Sequence, residues 1–464
     1  MPSTRSKSKK YRARSASGAD RAREQMLLWS AVPVGKRRLQ AGGQEGHEDT
    51  LGRLLREDLD FEGKDTSYSR HNFHAFAAKF PPQLPAFFIQ HLTVEGEVVL
   101  DPMVGSGTAV LEAQLLGRNA IGFDIDPLAY RVSLIKTMRL DAAEVADAAS
   151  GVIRAAQKAL AEPDALDRRL SSALVPETLA FIDYWFLAST RRELFALSSA
   201  ISRVENARVR TFLEVAFSSI IVTKSGGVSL ARDLAHTRPH KVAAKAPKNA
   251  LDQFAARVRK SIMSLADVLP MDSVLICRAD ARSMPLEDNT VDLIVTSPPY
   301  ANAIDYMRAH KFSLVWLGDP IKGLSELRST YIGTEKTGGE ALHAYGPVSE
   351  GVLAELSQRD EKKRRVMSRY LRDMMGVFSE MRRVLKPGRC AVVVVGSSTM
   401  RGLDVRTHDC LAEVALSLGW RIVGMAPRRI ARDKRMMPMR RAKSASSQIE
   451  QRMSQEFVIG MVKP

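Results

Sequence analysis

Cysteine is scarce. The three residues in 464, Cys277, Cys390 and Cys410, lie far apart, and none forms a CxxC or a Cys/His spacing. A disulfide framework and a zinc site are therefore excluded, no metal ligand set is expected, and the thiols read as small buried hydrophobes. Long apolar runs are missing as well. The longest candidates, such as Ala391–Gly396, are strand-sized and far short of the ~18 residues a membrane helix needs. Acidic residues are in deficit, 52 Asp plus Glu against 69 Lys plus Arg, for a formal net charge of +17. That excess is local: residues 1–38 carry +9, 224–248 carry +5 and 428–443 carry +7, leaving a slightly acidic remainder.

With 45% hydrophobic and 26% charged residues, the composition is that of a folded chain rather than a disordered or collagen-like one. The length suits about three domains of roughly 150 residues, or one elaborated α/β domain with insertions. The Arg- and Ser-rich start and the apolar stretch Met26–Gly35 imitate a targeting peptide. Pro33 interrupts that stretch, however, and Gly35-Lys36-Arg37-Arg38 stands where a small-residue cleavage site belongs. The expectation is a cytoplasmic protein whose residues 1–64 form a basic, disordered tail.

Periodicity then reads as βαβ. Strand 98–100 closes on Asp101-Pro102, a glycine loop and a helix from Thr108 follow, and strand 120–123 ends in Asp124-Ile125-Asp126-Pro127. Residues 141–270 read as a helical insertion interrupted by the basic loop 224–248. Strands resume at 273–276 and 291–295. A helix over about 364–385 stops at Lys386-Pro387-Gly388 and feeds the all-apolar strand 391–395. Continuous apolar strands alternating with helices predict an α/β fold, a mostly parallel central sheet covered on both faces. Residues 65–140 and 271–464 form its two parts.

Two loops carry chemistry. In Asp101-Pro102-Met103-Val104-Gly105-Ser106-Gly107-Thr108, glycines stand where backbone approaches a ligand at the carboxyl edge of a parallel sheet. Asp124, about twenty residues on, ends the next strand where a carboxylate can hold a ribose diol. Dinucleotide loops aim a helix dipole at pyrophosphate, whereas a carboxylate before the loop suits a cationic ligand. Asp101 therefore favours S-adenosylmethionine over NAD or ATP. The second loop, Ser297-Pro298-Pro299-Tyr300, follows a buried strand. Its prolines fix φ and remove two backbone donors, leaving carbonyls and the Ser297 hydroxyl as acceptors for an exocyclic amine, with the Tyr300 ring to stack on its base.

These motifs resemble the amino-methyltransferases of DNA, with their D-P-F-x-G-x-G-T cofactor loop and S-P-P-Y catalytic loop; Met103 stands where the family usually has Phe. The motif order is similar to the family's gamma arrangement, or to its alpha arrangement if the stretch between the loops reads the target. The resemblance implies a Rossmann-like class I methyltransferase fold, S-adenosylmethionine as cofactor and double-stranded DNA as partner, with room for a cognate restriction endonuclease. It implies that Ser297 and the Pro298 carbonyl, in a catalytic turn completed by Pro299, receive the amine and that Tyr300 stacks on an extruded base. Asp280 would line the cofactor adenine, and Lys79 and Phe80 would close over its methionine part. S-P-P-Y goes mostly with cytosine N4, so a site-specific cytosine-N4 methyltransferase is expected, with adenine N6 as the alternative and RNA a more distant one. No Pro-Cys dipeptide occurs, which excludes cytosine C5 chemistry through a cysteine nucleophile. The basic loops 224–248 and 428–443 are expected to contact duplex phosphates through Lys224, Arg232, Arg238, Lys241, Arg428, Arg429, Arg432, Lys434 and Arg435. Target recognition is expected within 141–270 and 313–362.

Overall fold

The computed structural model describes residues 46–76, 79–223, 227–232, 239–266, 273–301, 305–333, 345–430 and 454–464. Helices α1 (His47–Leu54) and α2 (Gln83–Leu92) precede β1 (Val98–Asp101), α3 (Thr108–Leu115), β2 (Asn119–Phe123) and α4 (Pro127–Thr137). The insertion holds α5 (Ala142–Leu160), α6 (Pro163–Ala173), α7 (Pro176–Trp185), α8 (Ala188–Ile201) and α9 (Ala207–Ile221), a short ribbon of β3 (Ala231–Arg232) and β4 (His240–Lys241), and α10 (Ala250–Met263). Strands β5 (Val274–Cys277) and β6 (Val291–Thr296) return to the sheet. Next come α11 (Met307–Leu314), α12 (Ile321–Thr330), α13 (Pro347–Arg359), α14 (Glu361–Val384) and β7 (Leu385–Val395). A ribbon of β8 (Thr399–Met400) and β9 (Leu403–Asp404), α15 (Thr407–Ser417), β10 (Arg421–Arg429) and β11 (Gln455–Val462) complete the described chain.

The seven-stranded sheet has the order β10-β11-β7-β6-β1-β2-β5 and is parallel except for β11, which runs antiparallel to both neighbours. Alternate residues of each strand feed two different cores, as a pleat requires. Leu100, Ile121, Ile294 and Val393 join one core, with Met367, Leu371, Met374 and Phe378 of α14. Val99, Ala120, Leu293 and Val392 join the other, with residues of α1, α2 and α3. A third core unites the insertion helices with Leu128, Val132 and Ile135 of α4 and with α11. The α/β architecture with a helical insertion is therefore as expected from the sequence. The three cysteines are buried and free. Among the described residues no helix is long and apolar enough to cross a membrane, and no cluster of His, Cys, Asp and Glu could hold a metal.

Two boundaries need correction. The stretch read as a disordered tail to residue 64 contains α1, whose Leu51 and Leu54 are wholly buried with Leu55 beside them. Gly460 of β11 makes room for this helix, since a Cβ there would lie 2.6 Å from a Leu55 methyl. In the same way, Lys386-Pro387-Gly388 does not separate helix from strand. β7 begins at Leu385 directly after α14, and Gly388 adopts φ +72° while its N–H donates to the Lys463 carbonyl (2.8 Å).

Candidate active site

Chain order sets the location. From β1 the sheet grows outward through β2 and β5, and the chain then returns to lay β6 on the other side of β1. A crevice opens at such a reversal, beyond the carboxyl ends of the strands. Asp101 ends β1 and Thr296 ends β6, so the two loops singled out in the sequence begin side by side. The Thr296 hydroxyl donates to Asp101 Oδ1 (2.8 Å), which also accepts the Met103 N–H (3.2 Å). Burial pushes the Asp101 carboxyl up to about 7 against the pull of these two bonds, with nearby Asp124 adding to the rise.

The glycines do different jobs. Gly105 takes φ +49° and its N–H donates to Asp124 Oδ2 (2.9 Å), tying the loop to the end of β2. Gly107 takes φ +79° at the start of α3, where a Cβ would lie 2.9 Å from Ser133 Cα of α4. Only glycine fits that conformation and that approach together. Asp124 Oδ1 accepts from the Asp126 N–H (2.9 Å), and burial followed by repulsion from Asp126 pushes the Asp124 carboxyl up to about 7. Asp126 caps α4, accepting from Leu128 and Ala129, and also accepts from His310 Nδ1 (2.7 Å) and Tyr331 Oη (2.8 Å). Burial pushes its carboxyl up, but His310 and these bonds outweigh that and hold it at about 2.

One cavity gathers most of the expected residues on its wall: Lys79, Phe80, Asp101, Pro102, Met103, Gly105, Thr108, Asp124, Asp280, Ser297 and Pro299. Gly107, Pro298 and Tyr300 are not on that wall; Gly107 is at the helix packing contact, and the Tyr300 phenol adjoins the wall through Ser297 while Oη donates to Glu456 Oε1 (2.7 Å). Lys79 Nζ donates to the His71 carbonyl (2.8 Å). Asp280 is clamped by Arg282, whose Nε lies 2.9 Å from Oδ1 and whose Nη1 reaches Asp373 (3.0 Å). Burial raises the Asp280 carboxyl, but Arg282 wins and holds it below the usual range.

The wall also holds residues the sequence reading passed over. Asp126 had a signal, an acid before Pro127 at the first position of a helix. Tyr306, stacked on Phe76 with ring centroids 5.5 Å apart, lies just beyond the catalytic loop. Arg308 and Arg328 both pair with Asp305, their Nε atoms 3.0 and 2.6 Å from Oδ2. Tyr331 carries no local signal, because only the fold brings it to Asp126.

The expected DNA contacts divide. Arg232 and Lys241 are exposed on the β3–β4 ribbon, Lys241 Nζ standing 4.4 Å above the Tyr184 ring, and Arg429 is exposed at the end of β10. Arg428 is a correction. It is 5% exposed, donates to the Leu59 carbonyl (3.1 Å) and pairs with Glu456, so it is not available to a duplex. It points inward with Ala426, two residues back along the strand. Lys224, Arg238, Arg432, Lys434 and Arg435 lie outside the described residues.

A model of the DNA methylase family, the N6 and N4 amino-methyltransferases, matches residues 4–135 and 291–452. The chain belongs to the DNA methylase family. The gap between the two matched segments contains the six insertion helices. Among curated relatives, the Type II methyltransferase M.MvaI of Kocuria varians is 24% identical over 380 residues, 77% of this chain and 83% of that one. The Type II methyltransferase M.BsoBI of Geobacillus stearothermophilus is 26% identical over 304 residues, 60% of each chain. Among solved structures, a geranyl diphosphate methyltransferase with GPP and sinefungin covers 90% of this chain and 99% of its own, at 8% identity and a TM-score of 0.31.

As a DNA methylase the chain acts on DNA and uses S-adenosylmethionine. The cavity suits that cofactor. Asp101 and Asp124 are carboxyl groups on its wall, held by the Thr296 hydroxyl and by the backbone N–H groups of Met103, Gly105 and Asp126. A ligand carrying ammonium and sulfonium charges and a diol would add counter-charge and hydrogen bonds to these groups.

Proposed function

We propose that this DNA methylase modifies the exocyclic N4 amine of cytosine at a specific duplex sequence, with the base extruded into the site. The observation that carries the reading is the Thr296–Asp101 hydrogen bond, 2.8 Å, which fixes the start of the Ser297–Tyr300 loop beside the cofactor loop. When bound, S-adenosylmethionine supplies an electrophilic methyl group. Asp101 and Asp124 would bind its cationic and diol parts, and Asp280 would sit beside the adenine. The Ser297 hydroxyl and the Pro298 carbonyl would accept the amine N–H bonds, leaving the nitrogen lone pair directed at the methyl. Catalysis is then mainly positioning. In the family this chain resembles, Ser at this position goes mostly with cytosine and Asp or Asn with adenine, so Ser297 supports cytosine.

The test uses purified protein, S-adenosylmethionine and unmethylated DNA, followed by nucleoside digestion and mass spectrometry. N4-methylcytosine is expected; N6-methyladenine alone would transfer the same machinery to adenine.

Cofactor binding should follow the two raised carboxyls. A cation binds best to their ionised forms, so affinity is expected to fall as the pH drops through about 7, with proton uptake by Asp101 and Asp124. Calorimetry near neutral pH, in buffers of different ionisation heat, should accordingly register proton release on binding. The linkage to stability has the opposite sign. Between 3.8 and about 7 the folded chain holds protons that the unfolded chain has lost, so this contribution weakens as the pH rises through that window.

We assign duplex contact to the face around α7, α11 and the β3–β4 ribbon. Tyr184 is 54% exposed beneath Lys241, and Lys311 Nζ stands 5.1 Å above the Phe181 ring, one turn from Arg308 at the cavity. Lys241→Ala is expected to weaken binding to all sequences alike and to lower the slope of log K against log salt by roughly 1. A salt titration by fluorescence anisotropy measures it. The insertion, 141–270, is the proposed target-recognition unit, and a cognate restriction endonuclease is the proposed biological partner.

A further inference from the structure

We propose that Glu456 and Arg428 are positioning residues for the catalytic loop, Glu456 gripping the Tyr300 phenol and Arg428 gripping Glu456. The inference rests on the reading above that Tyr300 stacks on the target base. Tyr300 Oη donates to Glu456 Oε1 at 2.7 Å, a bond spanning 156 positions of sequence. The other carboxylate oxygen of Glu456 belongs to Arg428 Nη1, and the two side chains are 12% and 5% exposed. They face each other across the β10–β11 ladder, where Arg428 and Glu456 are register partners. Arg428 is held in turn by the carbonyls of Leu59 (3.1 Å) and Asp60 (3.5 Å), in the segment that follows α1.

The arrangement joins two parts of the sheet that the chain builds separately. Tyr300 leaves the end of β6, in the parallel half, whereas Glu456 and Arg428 lie on the antiparallel edge. A tyrosine fixed only at Cα can turn about two side-chain bonds. Anchoring its far oxygen removes that freedom before the base arrives, so less of the binding energy is spent on ordering the ring. A buried carboxylate needs a counter-charge, and Arg428 supplies it. The pair itself is a weak source of stability, since similar pairs are often replaced by apolar residues of matching volume without loss. Geometry at Tyr300 is therefore a better account of these two residues than stability is.

The experiment compares steady-state methylation of duplex DNA by the full chain and its variants. Arg428→Met combined with Glu456→Met removes the grip while avoiding an unpaired buried charge. Tyr300→Phe removes it from the other side and leaves the ion pair intact, and it also removes the phenol's hydrogen bond with Ser297. Each is expected to lower kcat roughly tenfold or more, the effect of one hydrogen bond to a charged group, with unchanged KM for S-adenosylmethionine. All three substitutions together should be no worse than Tyr300→Phe alone, because the Tyr300–Glu456 bond can be lost only once. Glu456→Gln, which keeps an acceptor, should retain more activity than the Met pair. Wild-type kcat in the folded Met pair, or in Tyr300→Phe, overturns the proposal, as do losses that multiply. If the Met pair fails to fold, Tyr300→Phe decides alone. Tyr300→Ala separates the two levels: full activity there would sink the stacking role itself, whereas an inactive Tyr300→Ala with a fully active Met pair would sink only the positioning role.

Discussion

Ser297→Ala is expected to cut methyl transfer by roughly 10²–10³-fold, the scale of removing one preorganised polar contact from a reacting centre, while S-adenosylmethionine affinity stays within about twofold of wild type. The separation follows from where Ser297 stands. It lies on the cavity wall, one residue beyond Thr296, and the Thr296–Asp101 bond that holds the loop does not involve its hydroxyl. Losing Oγ therefore leaves the Asp101 and Asp124 contacts intact and takes away the proposed acceptor for the amine. Tyr300→Ala should produce a similar loss by a different route, removing the ring and stranding the Glu456–Arg428 pair. Labelled-methyl transfer together with calorimetric titration of the cofactor checks both halves. A variant that lost cofactor affinity in step with rate would place Ser297 in binding rather than in transfer.

The complementary expectation concerns Asp124. Replacing it with alanine removes the acceptor for the Gly105 N–H and the turn bond to Asp126, as well as the proposed partner of the ribose diol. Two donors are left unsatisfied beside the cavity, at about 1–3 kcal/mol each. Cofactor affinity should fall roughly 10–100-fold or more, and transfer should recover in part at high S-adenosylmethionine concentration. Asp124→Asn offers a control. It keeps the side chain's size and one acceptor oxygen but not its charge, so it should fall between wild type and Asp124→Ala, and the dependence of affinity on pH should weaken. Unchanged affinity in Asp124→Ala would remove this residue from the site.

Most of the parallel sheet was legible because its strands are short apolar runs that end in loop-forming residues, and both chemical loops sit at such ends. Asp101, Gly105, Asp124 and Ser297 stand out in the sequence for that reason, and the fold brings them to one cavity wall. What escaped required either three dimensions or a closer look at periodicity. Tyr331 reaches Asp126 across 205 positions, a contact no local pattern announces. Arg428 was misjudged by counting charge along a basic run, which cannot tell an inward side chain from an outward one. Alternation in Arg421–Arg429 was the better guide, since Ala426 and Arg428 are buried while Met425, Pro427 and Arg429 are exposed. The same lesson applies to α1, where Leu51, Leu54 and Leu55 have the spacing of a buried helical stripe inside the stretch expected as a basic, disordered tail.

Long-read methylation mapping of DNA from cells expressing the wild-type chain or Ser297→Ala tests the central claim most directly, because it gives base, position and target sequence at once. The account expects N4-methylcytosine at a single short recognition sequence with the wild type and no modification with Ser297→Ala. Cytosine methylation that persists in Ser297→Ala, or modification confined to adenine, would contradict it.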